Sequence, residues 1–256
     1  MTSRPFLAVL LLAATHAAAQ TSRPMRPEDT EVWQPVPKVI TPGKTDRDPP
    51  SDAIVLFNGA NLDEWVSTGD GSPARWSVAN GVVTVNKQAG DIRTKRSFRN
   101  FQLHLEWRVP EGVTGAGQLR GNSGVFLAFD PGKAAYELQI VDSYQNATYV
   151  NGQAASVYKE SPPLVNAMRK PGEWQTYDIV WTAPVFNDDG SLKSPAYITA
   201  FHNGVIVQNH FALTGITKHT GAPEYIKHGP APIMLQAHQD PSAPISFRNI
   251  WARELP

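Results

Sequence analysis

The feature that most constrains this chain is a series of short apolar runs that begins at Ile54 and continues almost to the C-terminus. The runs consist of Val, Ile, Leu, Phe, Trp and Tyr, and Gly, Asn, Asp or Pro bounds each of them. Such runs predict β-strands, and turn residues at these intervals are typical of an all-β domain. We find no helical period sustained over three turns and no propeller repeat of ~40–50 residues. The pattern therefore favours two packed antiparallel sheets.

The strand pattern is clearest in residues 101–109, where apolar and polar side chains alternate strictly. This alternation predicts an apolar face that packs in the core and a polar face on the opposite side of the strand. Residues 76–78 and 81–85 flank Ala79-Asn80, which predicts a hairpin with a tight turn. Further strands are predicted at residues 124–129, 135–141, 175–182, 196–203, 205–207, 233–237 and 245–254.

The charge balance and the absence of cysteine exclude several classes of function. Lys plus Arg equals Asp plus Glu, at 23 each, so the chain lacks the positive surplus that a nucleic acid or an anionic membrane surface attracts. With no cysteine, it has no disulfide, no thiolate metal site and no cysteine nucleophile. The sequence also shows no phosphate-binding glycine loop and no His-Glu-x-x-His pair.

The N-terminal region divides into two segments before the β-domain. Residues 1–19 combine Arg4, an apolar run and small residues before Gln20, which predicts a secretory signal peptide. Residues 20–52 are rich in proline and charge and predict a strap or linker, so the β-domain is expected at 53–256. No apolar run is long enough to cross a bilayer. We therefore expect an exported protein, periplasmic or secreted, without a membrane span.

Two polar side chains on one predicted strand are candidates for binding a sugar. Alternation along residues 135–141 puts Glu137 and Gln139 on one face, with Leu138 and Ile140 buried behind them. A carboxylate beside an amide is suited to the hydroxyl groups of a carbohydrate. An ordinary exposed strand face would tolerate the same two residues.

A second polar cluster lies near the C-terminus. Gln236 and His238 share a strand face, and histidine titrates near neutral pH, which suits it for proton transfer. A surface or hydrogen-bonded structural histidine would give the same pattern. Tyr158 and Lys159 follow a loop rich in Asn and Gly, and a lysine there is a suitable partner for a developing enolate oxygen.

Several blocks of residues follow one another in a fixed order between residues 52 and 255. They are Val55-Leu56-Phe57-Asn58-Gly59, Trp76-Ser77-Val78, Asp91-Ile92-Arg93-Thr94-Lys95, Leu105-Glu106-Trp107-Arg108, Gly121-Asn122-Ser123-Gly124-Val125, Tyr136-Glu137-Leu138-Gln139, Pro171-Gly172-Glu173-Trp174 and Phe247-Arg248-Asn249-Ile250. In this order they resemble the 3-keto-disaccharide hydrolase family.

The resemblance implies a concanavalin A-like jelly-roll sandwich and an enzyme that cleaves 3-keto-glycosides made by a partner sugar 3-oxidoreductase. A ketone at C3 acidifies the proton at C2, so a base can remove it, the group at C1 leaves and water adds back. In this interpretation the catalytic residues are Glu137, as base or acid, with His238 and Lys159 as partners. The residues expected to hold the substrate are Asn122, Gln139, Gln236, Arg248, Tyr158 and Glu106.

One departure from the family pattern concerns the histidine. Members often carry Gln-Asp-His-Gly where this chain has Gln236-Ala237-His238-Gln239, so the acidic neighbour must come from elsewhere, and Asp240 is available. Two other functions stay open at this point. They are a lectin-like module that binds glycans without cleaving them, and an ordinary glucan hydrolase with two carboxyl groups.

The residues establish no cofactor, and a structural Ca²⁺ stays open. Lectin-type sandwiches can carry a structural Ca²⁺ bound by loop carboxylates. The carboxylates available for such an ion are Asp130, Asp142, Asp188 and Asp189, which do not form a recognisable ligand string.

Overall fold

The computed structural model describes residues 24–256, so the predicted signal peptide at 1–19 lies outside the described residues. The chain separates into two compact units, with the boundary between Val39 and Ile40. In the first unit the described residues 24–39 are all exposed and contain one 3₁₀ turn, Pro27–Thr30. The second unit, Ile40–Pro256, holds all the strands and includes residues 40–52 of the predicted strap.

The β-structure of residues 24–256 consists of fifteen strands. In chain order they are β1 (Ile54–Phe57), β2 (Trp65–Ser67), β3 (Ser77–Ala79), β4 (Val82–Thr84), β5 (Ile92–Phe98), β6 (Phe101–Arg108), β7 (Ser123–Asp130), β8 (Ala134–Ile140), β9 (Gln175–Thr182), β10 (Val185–Phe186), β11 (Leu192–Ser194), β12 (Tyr197–His202), β13 (Val205–Ala212), β14 (Ala231–Leu235) and β15 (Ser246–Glu254). Besides Pro27–Thr30, the 3₁₀ turns are Lys87–Ala89, Gly117–Leu119 and Val150–Gly152.

Two large antiparallel sheets form the domain. The eight-stranded sheet has the order β13-β12-β9-β6-β15-β4-β3, and β1 adds to it by pairing with β15. The five-stranded sheet has the order β2-β5-β14-β7-β8, and β10 and β11 form a separate hairpin. Two antiparallel sheets with almost no helix confirm the predicted all-β jelly-roll sandwich. In the described part of the chain, no helix is long and apolar enough to span a membrane.

The core consists of the apolar residues that alternate along the strands of both sheets. On β6, the side chains of Phe101, Leu103, Leu105 and Trp107 are each at most 1% exposed, as the alternation predicted. On the five-stranded sheet, β8 contributes Tyr136, Leu138 and Ile140 to the same core cluster. Since side chains alternate between the faces of a strand, the residues between these three point away from the core.

The opposite face of β6 is polar, as predicted, but it is also largely covered. His104 is fully buried, and its ring stacks on Trp251 with 5.3 Å between the centroids. The His104 Nδ1 lies 2.7 Å from Asp178 Oδ1. Residues of the predicted strap cap this region, because the carbonyl of Arg47 accepts hydrogen bonds from Trp251 Nε1 at 3.0 Å and from Asn249 Nδ2 at 2.9 Å.

The structure differs from the strand predictions in the position of one turn and in several strands that were not predicted. The turn of the β3–β4 hairpin is at Asn80-Gly81, one residue later than predicted, because Ala79 pairs with Val82 and both turn residues have positive φ. The sequence pattern also missed β5, a strand inside the five-stranded sheet. Arg93, Lys95 and Arg96 make this segment look like a polar loop, although it lies between two strands of the sheet. The strands β2, β10 and β11 were not predicted either.

Candidate active site

A cleft of about 550 Å³ lies over the face of the five-stranded sheet that points away from the core. Strands β7 and β8 supply its floor, and the loops around residues 118–122, 149–158 and 217–219 supply its walls. Its lining residues are Gln118, Leu119, Asn122, Phe126, Glu137, Gln139, Tyr149, Tyr158, Thr217, His219, Gln236 and His238.

The edge strand β8 positions Glu137 and Gln139 in this cleft, as its alternation predicted. The Glu137 N–H donates to Thr217 Oγ1 at 2.9 Å, and the Glu137 carbonyl accepts from the N–H of Tyr158 at 3.1 Å. Both loops are therefore tied to the strand through its backbone. On the neighbouring strand β7, Gly124 leaves room for the Glu137 carboxyl group, whose Oε1 lies 2.5 Å from where a Cβ on residue 124 would be.

The Glu137 carboxyl group is buried, and both its burial and a nearby negative charge disfavour its ionised form. The residue is only 6% exposed, and within residues 24–256 its carboxyl oxygens have no hydrogen-bond partner. Burial, with a smaller contribution from the charge of Asp91, raises the pKa of Glu137 to about 8. A carboxyl group with this pKa is mostly protonated at neutral pH and is a stronger base than usual once ionised.

The second titratable group of the cleft, His238, is oriented by Asp240. The His238 Nδ1 lies 3.2 Å from Asp240 Oδ2, which in turn lies 3.1 Å from Lys87 Nζ. Burial opposes the ionisation of Asp240, but hydrogen bonds from His238, Ser242 and Lys87 outweigh it and lower the pKa of Asp240 to about 2. Asp240 therefore stays ionised. It is an acidic partner for His238, whereas the family pattern has the acidic residue directly before the histidine, at the position of Ala237.

Three side-chain amides form a connected group beside Glu137. Gln139 Nε2 donates to Gln118 Oε1 at 3.0 Å, and Asn122 Nδ2 donates to the Gln118 carbonyl at 2.7 Å. The Oδ1 atom of Asn122 is buried and has no partner in the described part of the chain. A buried acceptor without a partner in a cleft is suited to a hydroxyl group of a ligand.

Two tyrosines form an aromatic wall of the cleft. The hydroxyl groups of Tyr149 and Tyr158 are 2.6 Å apart, and Tyr158 Oη lies 3.5 Å from His219 Nδ1. Lys159, predicted as a catalytic partner, is not among the residues that line the cleft. Its ammonium group donates to the His219 carbonyl at 2.6 Å and lies 5.6 Å from the centroid of the Tyr149 ring, so it supports this wall.

The structure separates the predicted site residues into two groups. Those that line the cleft are Glu137, His238, Asn122, Gln139, Gln236 and Tyr158. Glu106 and Arg248 are on the eight-stranded sheet instead, where Arg248 Nε donates to Glu106 Oε2 at 2.7 Å. Arg248 also lies 4.1 Å from the centroid of the Trp174 ring. Glu106 and Arg248 therefore do not line the cleft over β8.

A second lobe of about 610 Å³ adjoins the first and shares Leu119, Gln236 and His238 with it. Its other lining residues are Thr68, Gly90, Asp91, Ala237, Gln239 and Asp240. Asp91 is the titratable residue here that sequence reasoning missed as a site residue, although it begins one of the blocks that carry the family resemblance. Gln118, Tyr149 and His219 were also missed, because loop residues give no periodic signal.

The aspartates considered for a structural Ca²⁺ do not converge on one point. Asp142 accepts from the N–H of Tyr144 and lies 2.7 Å from Arg120 Nε, while Asp189 accepts from Ser191. Residues 24–256 contain no group of three or more His, Asp or Glu side chains that could hold a metal ion. These carboxylates therefore do not fit a calcium site.

The family model of the 3-keto-alpha-glucoside-1,2-lyase-like domain matches residues 52–253. A 3-keto-disaccharide hydrolase from Bacteroides thetaiotaomicron is 27% identical over 157 residues, which are 50% of this chain and 51% of that relative. The match thus spans about half the length of that relative.

Solved structures give a closer match. A crystal structure of a "putative glycosyl hydrolase" from Parabacteroides distasonis is 52% identical, with a TM-score of 0.84, and the match covers 90% of this chain and 97% of that one. Another protein of the same description and species is 24% identical with a TM-score of 0.55, covers 79% of this chain and 99% of its own, and shares the fold. The chain belongs to the family of 3-keto-α-glucoside-1,2-lyase-like domains, which confirms the family predicted from its sequence blocks.

Proposed function

We propose that this protein cleaves the glycosidic bond of 3-keto-glycosides by removing the C2 proton, eliminating the group at C1 and adding water to the double bond that results. The observation that carries the proposal is the Glu137 carboxyl group. It is buried in the cleft, has no hydrogen bond from residues 24–256, and shares the cleft with the His238–Asp240 pair.

The base in this proposal is the ionised Glu137. The C3 ketone makes the C2 proton acidic, and a base with a pKa near the working pH removes such a proton most effectively. The electron pair of the C2–H bond moves to the C3 oxygen and then expels the group at C1, leaving a double bond between C1 and C2. Water then adds to C1, and the proton returns to C2, so the overall reaction is hydrolysis.

The other groups of the cleft have supporting roles. In its imidazolium form His238 donates Nδ1–H to the ionised Asp240 and Nε2–H to the enolate oxygen as negative charge develops there. The unpaired Oδ1 of Asn122 accepts from a sugar hydroxyl, and the rings of Tyr149 and Tyr158 provide a surface for the apolar face of the sugar. The wall and the amides thus orient the ring so that its C2 proton points to Glu137.

The test compares a 3-keto-glucoside that carries a chromogenic aglycone with its unoxidised parent, using wild-type protein, Glu137→Gln and the control Glu173→Gln. Glu173 is exposed and, among the described residues, its carboxylate pairs only with Lys170 at 3.9 Å, so its substitution should leave activity unchanged. We expect release from the keto compound alone and loss of at least ~10²-fold in Glu137→Gln. Saturable glycan binding without any release would instead show a lectin-like module and refute the proposal.

A second candidate function, ordinary glycoside hydrolysis, has one observation in its favour. Asp91 contributes to the raised pKa of Glu137, so two carboxyl groups lie near each other in this region. Two carboxyl groups are what a hydrolase of this type uses. The unoxidised parent in the same assay distinguishes the two functions, because only the ordinary hydrolase would release its aglycone.

The proposal also includes a cellular context. The predicted signal peptide at 1–19 implies export to the periplasm or outside the cell, and a sugar 3-oxidoreductase must supply the ketone that the reaction requires. Cell fractionation of a tagged full-length protein tests the location. Recovery in the cytoplasm with residues 1–19 still attached would contradict export.

A further inference from the structure

The candidate site has two lobes, and in the proposed function the 3-keto sugar binds in the first of them. The lobes share Leu119, Gln236 and His238, so His238 lies where they meet. The first lobe contains Glu137, the amides and the tyrosines, whereas the residues described around the second lobe include no Phe, Tyr or Trp. Volumes of about 550 and 610 Å³ each lie within the range of small-ligand sites.

Resting on the proposed function, we propose that the second lobe receives the leaving group of the substrate and that Asp91 donates the proton to the leaving oxygen. The bond to be broken would then lie near His238, with the keto sugar on the Glu137 side and a hydroxylated leaving group on the Asp91 side. This assigns Asp91 a catalytic role distinct from that of Glu137.

The contacts of Asp91 support this role. Its Oδ1 accepts a hydrogen bond from the N–H of Ala237 at 2.7 Å, which fixes the carboxyl group at the edge of the lobe. Its Oδ2 has no hydrogen bond within the described chain. Burial raises the pKa of Asp91, and the hydrogen bond from the Ala237 N–H and the charge of His238 offset part of that rise. The negative charge of an ionised Asp91 raises the pKa of Glu137, so a proton on Asp91 favours the ionised Glu137 that acts as base. In the reacting form the two carboxyl groups hold one proton, on Asp91.

The surroundings also define the class of leaving group. Thr68 and Gln239 line the lobe with polar side chains, and the Gln239 amide nitrogen is already used by the carbonyls of Lys87 and Ala237. Its amide oxygen remains for a ligand. Such a lobe fits a second sugar better than an apolar aglycone, because hydroxyl groups find partners there and the described lining offers an apolar ring no Phe, Tyr or Trp to stack on.

The two carboxyl groups and one water supply and recover every proton that moves in this step. Glu137 takes the proton from C2, the C1–O bond breaks as the C1–C2 double bond forms, and Asp91 gives its proton to the departing oxygen. Asp91, now ionised, takes a proton from the water that adds to C1. Glu137 returns its proton to C2, so both carboxyl groups regain their starting states.

The first test varies the leaving group. Wild-type protein, Asp91→Asn and the control Asp189→Asn are assayed on a 3-keto-glucoside with a 4-nitrophenyl group and on one with glucose at the same position. Nitrophenolate leaves without a proton, whereas a sugar alkoxide does not. We expect Asp91→Asn to lose about 10²–10⁴-fold in kcat/KM on the glucosyl compound and less than ~10-fold on the nitrophenyl compound.

The choice of variants controls for folding. Asparagine at position 91 can still accept from the Ala237 N–H, and Asp189 likewise accepts from a backbone N–H, that of Ser191, at 2.9 Å, but lies outside both lobes. Because one variant is measured on two substrates, a loss of folded protein would lower both rates equally. An equal loss on both substrates, or no loss on either, would overturn the role of Asp91.

The second test follows exchange of the C2 proton with solvent deuterium in the glucosyl compound. Asp91→Asn should still exchange this proton while releasing little glucose, and Glu137→Gln should do neither. If exchange disappears with release in Asp91→Asn, the residue does not act on the leaving group. If wild-type protein cleaves neither keto compound, the proposed function fails together with this inference. If wild-type protein cleaves both but Asp91→Asn loses the same activity on each, only the inference is refuted.

Discussion

Gly124→Ala is a small change that should disable the site without unfolding the protein. Gly124 does not need a positive φ, so alanine is compatible with its backbone. The added Cβ would lie 2.5 Å from Glu137 Oε1, 3.1 Å from Glu137 Cδ and 3.2 Å from Phe126 Cε2. Two of these atoms belong to the end of the Glu137 side chain, which can move more easily than the backbone of β7 and β8.

The size of the effect follows from these distances. An ordinary contact of a Cβ begins at 3.4 Å, so the carboxyl oxygen must move by about 0.9 Å. A misplacement of about 1 Å in a catalytic group costs on the order of 10²-fold in rate. Alanine is also favoured over glycine in a strand by roughly 0.5–1 kcal/mol, which offsets part of the steric cost to stability.

The assay is kcat/KM on the chromogenic 3-keto-glucoside, with thermal unfolding followed in parallel. The matched control is Gly229→Ala, because a Cβ there would meet no atom within 4 Å and the residue has no positive φ. We expect a loss of about 10²-fold in Gly124→Ala with a Tm within a few degrees of wild type. Wild-type kcat/KM in Gly124→Ala would refute the argument that the position of Glu137 determines activity.

Three further predictions concern the same cleft. Because burial raises the pKa of Glu137 from 4.5 to about 8, the unfolded chain loses this proton between those pH values while the folded chain keeps it, so stability falls as pH rises through that window. Glu137→Gln should therefore have a higher Tm than wild type at pH 8 and the same Tm near pH 4, and a difference independent of pH would contradict the burial argument. Asp240→Asn should lower kcat by about 10²-fold with a smaller change in KM, since it leaves His238 without its ionised partner; a rise in KM alone would show that Asp240 acts on binding. Asn122→Ala should raise KM about 10-fold, the value of one hydrogen bond to a sugar hydroxyl, and an unchanged KM would show that its Oδ1 does not accept from substrate.

Much of the fold and part of the site were predictable, because strand alternation is a local property. The side-chain period of two along β6 and β8 is visible in the sequence and follows directly from extended backbone geometry. Residues predicted from it, such as Glu137 and Gln139, do share a face in the structure. The same pattern missed β5, because basic residues at Arg93 and Lys95 hid the alternation of its buried side chains.

Three predicted site residues do not line the cleft, and this has a different physical cause. Glu106 and Arg248 occur in polar positions on predicted strands, just as Glu137 does, but their strands are paired in the other sheet. Lys159 follows Tyr158 directly, yet a positive φ of 62° turns its side chain behind the aromatic wall. Alternation predicts which face of a strand a side chain occupies, but it does not predict which strands become neighbours.

The sequence alone therefore determined the all-β class and the pairing of Glu137 with Gln139 on one face, since both depend on residues close together in the chain. It also determined the family, because the order of short blocks along the chain is itself a property of the sequence. Only the tertiary structure decided that Asp91, Glu137 and His238, which are far apart in sequence, surround one two-lobed cleft. It also decided that Asp240 and Lys87 hold the histidine and that burial shifts the pKa of Glu137. Long-range strand order and the exclusion of water exist only in the folded protein, and these two properties set the chemistry of its carboxyl groups.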